Sequence, residues 1–170
     1  MTRLWISASL TGALLLTACG DNEPQTPANP TEDAAIPAEE PFAGAGWTLV
    51  ASGEGVALRL EAGGDLIAAV ACTRNPARLE AESDRFQRIM SEDRFTIGAG
   101  DEAYALAADL EAERAQGVEA SGAIPPDLID RLEAGGAIAF NYGSQSLGPF
   151  PAVPEADLET FVADCREIAG

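Results

Sequence analysis

Along most of the chain, apolar and polar positions alternate over short stretches separated by glycine-rich turns, the pattern of half-buried β-strands. Residues 47–52 form the first stretch and close on Gly53-Glu54-Gly55. Residues 56–61 follow, with Val56, Leu58 and Leu60 on one face, and turn at Gly63-Gly64-Asp65. The stretch 66–73 is more continuously apolar, as expected of a central strand. After Asn75-Pro76, residues 78–83 set Leu79 and Ala81 on one face against Glu80 and Glu82 on the other. Residues 94–99 and 104–110 read as a hairpin across Gly98-Ala99-Gly100-Asp101, with further strands over 117–123 and 137–142.

Two segments break this rhythm. Pro125-Pro126-Asp127 opens a short helix over 127–133 that Gly135-Gly136 ends. Residues 143–154, rich in Gly, Pro and Ser, read as a loop. The chain closes with a helix over 155–168, in which Leu158, Phe161, Val162 and Cys165 recur at helical spacing. That stripe docks on a sheet. The sum is a mainly β (α+β) domain: an antiparallel barrel or sandwich of about eight strands with a short internal helix and a docked C-terminal helix. It occupies 46–170.

The pattern ahead of that domain is different. Arg3 precedes an apolar stretch from Leu4 to Leu16 that is too short for a comfortable membrane span, as in an export signal. The run ends in Leu16-Thr17-Ala18-Cys19, which resembles the lipobox of bacterial lipoproteins. The resemblance implies that residues 1–18 are a signal peptide and that Cys19 is diacylglycerylated, freed by cleavage before it and acylated on its new amine. Two or three acyl chains, each burying ~0.8 kcal/mol per CH₂, hold a protein on a membrane effectively permanently. By the sorting rules of that family, Gly20 lacks the aspartate that retains a lipoprotein in the inner membrane. The expected address is therefore the periplasmic face of the outer membrane. Residues 19–45 read as a disordered acidic tether, with Pro24, Pro27, Pro30, Pro37 and Pro41 and little to bury.

Composition narrows the function. The chain carries 28 acids against ten basic residues, a formal net charge of −18, and no histidine. Nucleic acid needs a basic footprint that is missing here. Anionic headgroups repel such a surface, which leaves the lipid anchor as the membrane contact. Without histidine there is no Ser-His-Asp or Cys-His nucleophile and no histidine-ligated metal. The excess of carboxylates serves solubility and, more specifically, attraction to a basic envelope protein.

With Cys19 lipidated, Cys72 and Cys165 remain. In an oxidising compartment they are expected to pair, fastening the terminal helix to a central strand, with two buried free thiols as the alternative. No Cys-x-x-Cys points to redox chemistry. Glu80, Glu82 and Asp84 alternate in a way that could gather calcium, but lack the loop that accompanies such a site and read as a solvated strand face. The acids of Ser91-Glu92-Asp93-Arg94 and of Gly100-Asp101-Glu102 would suit glycoside hydrolysis if held about 5–10 Å apart. Tyr142, Gln145 and Phe150, around a Gly- and Pro-rich loop, form the candidate binding surface, although Phe150 also suits the edge of the core. Trp47 suits either sugar stacking or plugging the core.

The domain's plan is similar to that of small envelope lipoproteins of Gram-negative bacteria, a resemblance that implies no particular activity. It rests on Trp47-Thr48-Leu49, the Gly53/Gly55 turn, Cys72, Tyr142-Gly143 with Gln145, and Cys165. Membrane-bound inhibitors of C-type lysozyme share the charge logic. Their Ser-Gly-then-Tyr signature fails here, because Ser52-Gly53 leads into Glu54, Gly55 and Val56. The expectation is an anchored envelope lipoprotein with a binding or structural role and no cofactor or catalytic centre. Inhibition of a basic hydrolase and carboxylate-based glycan chemistry are the alternatives.

Overall fold

The computed structural model describes residues 42–112 and 116–170. Its second compact unit, Glu39–Gly170, contains all of them. The signal, Cys19 and most of the tether lie outside the described residues. Nine strands form one antiparallel sheet: β1 Gly46–Ser52, β2 Gly55–Ala62, β3 Asp65–Arg74, β4 Ala77–Ser83, β5 Arg94–Ala99, β6 Glu102–Ala108, β7 Val118–Gly122, β8 Ile138–Tyr142 and β9 Gln145–Leu147. Their order is β1-β2-β3-β4-β7-β6-β5-β8-β9, so the sheet is open, with β1 and β9 at its edges. Helix α1 spans Pro126–Glu133 and helix α2 spans Glu155–Ala169.

Register follows from the alternation read in the sequence. Leu58 stands opposite Val70, and Val56 opposite Cys72, which faces Leu79 in turn. All five are buried, so one face of β2–β4 is continuously apolar. Helix α2 lays Phe161, Val162, Cys165 and Ile168 against this face, and α1, packed on α2 and reaching β5, adds Leu128, Ile129 and Leu132 to the same core. Cys72 and Cys165 are joined by a disulfide with Cα atoms 5.4 Å apart. The bridge closes 93 residues, a constraint worth about 4–5 kcal/mol in the chain-entropy view.

Gly55 shows what the tight β1–β2 turn demands. A Cβ at Gly55 would sit 2.1 Å from the Cys72 carbonyl oxygen, so no side chain fits at that position.

Three expectations shift. Residues 143–154 are not all loop: a two-residue turn leads into β9, paired with β8 from Tyr142–Gln145 to Phe140–Leu147. The segment was illegible because three residues are too few to show a period of two. The strand expected over 104–110 instead covers Glu102–Ala108, starting directly after the Gly100-Asp101 turn to pair with β5 and ending on its short pairing with β7 at Ala107 and Ala108. Part of the stretch read as tether also has structure among the described residues. Residues 42–44 make a turn closed by the Ala45 N–H donating to the Phe42 carbonyl, and the Phe42 ring meets Phe150 at 5.1 Å.

Candidate functional site

Of the three residues singled out for binding, Tyr142 and Phe150 face inward and Gln145 is half-buried at the surface. Tyr142 is fully buried at the end of β8, and its phenol ring lies 6.1 Å from that of Phe86. The hydroxyl accepts from the Ile89 N–H at 3.2 Å and can donate to the carbonyls of Ile89 (2.8 Å) or Glu92 (2.9 Å). Gln145 clasps the backbone of Gln87: its Oε1 accepts from the N–H and its Nε2 donates to the carbonyl, both at 2.8 Å. Together they clamp the long β4–β5 connection to the β8–β9 hairpin. Gly143 enables the clamp, because its φ of 58° is a conformation other residues adopt at a cost.

Phe150 likewise serves the core. It is 5% exposed and packs on Phe42, Trp47 and Phe140. Trp47 is buried too, and its indole N–H donates to the Pro151 carbonyl at 2.8 Å. Trp47 thus plugs the core and Phe150 covers its edge, the second of the two roles its sequence position suits. An aromatic beside a Pro-rich loop carries the same sequence signal whether it covers a core or a partner.

The candidate carboxylates do not converge either. Glu92 and Asp93 precede β5, whereas Asp101 and Glu102 follow it, and a six-residue strand separates them by roughly 20 Å. Asp101 is held by Arg131 at 2.7 Å, and Glu92 accepts from the Arg94 N–H. Among the described residues no three metal-ligating side chains gather where one ion would reach them.

What the surface does present is a shallow concavity of about 310 Å³ on the outer face of β2, β3, β4 and β7. Ala57, Ala69 and Ala71 floor it, because Ala57 pairs with Ala71 and Ala69 faces Arg59 across the strands. Arg59, Arg78, Glu80, Glu82, Glu119 and Ser121 wall it. Arg78 donates to the Ser121 hydroxyl and lies 3.8 Å from Glu80, so donors and acceptors of both signs are preset around an apolar floor. Such a shelf suits a partner's side chain better than a buried small molecule.

The wider charge distribution is one-sided. Arg59, Arg74, Arg78, Arg85, Arg131 and Arg166 each lie against a carboxylate of the same domain. At the α1–α2 junction, Arg166 spans Asp130 at 2.7 Å and Glu133 at 2.6 Å. The Arg166 hydrogen bond holds the Glu133 carboxyl below its ordinary value of 4.5, and the two carboxylates raise the guanidinium further. The Tyr104 hydroxyl is pushed above 10 by burial and then by the adjacent Asp127 carboxylate. With so many cations engaged internally, the far more numerous acids set the outward field. Compared with known protein families, curated proteins and solved structures, the chain matches none.

Proposed function

We propose that this chain is a lipid-anchored envelope protein, tethered through Cys19 on the periplasmic side of the outer membrane, that binds a basic partner. The carrying observation is the engagement of arginine after arginine by carboxylates within the domain, in a chain of net charge −18. The domain turns an uncompensated acidic surface outward, and such a field steers a basic protein into encounter. The lipobox and the proline-rich stretch supply anchor and reach. No helix among the described residues is long and apolar enough to cross a membrane.

The reading is tested by crosslinking the native lipoprotein in its own membrane at low salt and at about 0.5 M, where screening shrinks to a few ångströms. Basic partners recovered only at low salt are expected, along with acyl mass on Cys19. Salt-insensitive capture of acidic proteins, or an unmodified Cys19, contradicts it. Inhibition of a basic hydrolase is the second reading, favoured by the same field. Protection of cell-wall substrate from a lysozyme would distinguish it from plain binding. Glycan catalysis has less support, since the acids expected to act as a pair are separated along β5.

A further inference from the structure

Strand β1 is the long edge of the sheet: it runs for seven residues, whereas β9 at the opposite edge has three. Among the described residues no strand pairs with the outer side of β1. Its seven residues, Gly-Trp-Thr-Leu-Val-Ala-Ser, include no charge and no proline. Folded proteins ordinarily guard a long edge with lysine, proline, a bulge or brevity, because its unpaired N–H and C=O groups accept any extended chain. The only register shift near β1 is in β2, at Leu60/Glu61, opposite the start of the strand. Its second half is accessible on both faces: Leu49 is half-buried, and Val50, Ala51 and Ser52 are exposed. Val50, at 49% exposure, is one of two large hydrophobic side chains left exposed among the described residues.

From this we infer that the outer edge of β1 is a strand-addition site that takes an extended segment of a basic partner protein, with small or β-branched apolar residues at its centre and Lys or Arg flanking them. Backbone pairing supplies affinity, and the side chains beside Val50 supply selectivity. The flanking positive charge answers the acidic field, so the inference rests on the binding function proposed above. Two other occupants fit less well. The chain's own residues 20–41 carry five prolines, which cannot donate to a ladder, and acids that the same field repels. A second copy would bring two surfaces of net charge −18 together.

The test uses the full lipidated chain in detergent and a synthetic nine-residue peptide, Lys-Lys-Val-Thr-Val-Thr-Val-Lys-Lys, read by residue-resolved hydrogen exchange. Saturable protection of the β1 amides is expected, weaker by roughly tenfold when glutamates replace the lysines. Strand N–H groups alternate in direction, so one of Val50→Pro and Ala51→Pro removes an outward donor and spares the β1–β2 ladder. The variant that keeps the wild-type melting temperature should lose β1 protection. Peptide binding that protects some other surface overturns the edge while leaving the basic-partner reading standing. No binding at millimolar peptide overturns both. Self-association with β1 protected before peptide is added makes a second copy the occupant and overturns the proposal.

Discussion

At one edge of the sheet, β9 is three residues long, runs into Gly148-Pro149 and is anchored through Gln145 to the backbone of Gln87. At the other, β1 runs for seven uncharged residues with its second half exposed on both faces. The β9 edge spends its aromatic and amide groups on the protein itself: Tyr142, Gln145 and Phe150 all hold neighbouring segments in place. The β1 edge is secured from beneath, by Trp47 and by α2, and its outer backbone is left unused by the described residues. One edge is short and tied down by its own side chains, while the other is long, uncharged and the surface we propose for a partner.

The strongest way to break this contrast is to remove the disulfide, which ties α2 to the β1–β3 side. Replacing Cys72 and Cys165 together with alanine should lower the unfolding free energy by about 4–5 kcal/mol in urea denaturation, with exchange rising first in β1–β3 and α2. Equal acceleration at β8–β9 would show that the two sides are not separable. Tyr142→Phe probes the other edge. It strips the half-buried Ile89 N–H of its acceptor and the Ile89 or Glu92 carbonyl of its donor, for an expected loss of about 1–3 kcal/mol. Faster exchange should then appear over residues 84–93 and leave β1 unchanged.

The smallest effect concerns pH. Glu133 has a lowered pKa in the folded protein because of Arg166, so the stability it contributes is present above its ordinary 4.5 and lost as pH falls through the lowered value. Both partners are exposed, which keeps the contribution small and salt-sensitive. Arg166→Gln should flatten a slight acid-side decline in melting temperature and do nothing at either edge. A decline as steep in the variant as in the wild type would remove Arg166 as its cause.

The chain's architecture was largely legible because its strands announce themselves by alternation: Val56/Leu58/Leu60 and Leu79/Ala81 fall on the buried face that their spacing requires. The cysteine pair was legible from its placement on a central strand and a docked helix. Strand β9 was hidden by its brevity. The binding surface was misread for a different reason. Tyr142 and Phe150 look alike in sequence whether they face a partner or the interior; tertiary folding decides, by bringing the 84–93 connection against Tyr142 and Phe42, Trp47 and Phe140 against Phe150. Edge status is invisible for the same reason, since it depends on which strands do not meet. In hindsight one signal was available: β1 is a seven-residue strand without a charge in a chain where 22% of residues are charged.

Native-state hydrogen exchange on the full chain without any partner tests the division of the two edges most directly. The account requires alternate amides of residues 49–52 to exchange almost as freely as an unfolded chain, while those of β8 and the Gln87–Gln145 clasp are protected by orders of magnitude. Uniform protection along β1, matching that of β8, would mean that its outer backbone is already occupied and would contradict the account.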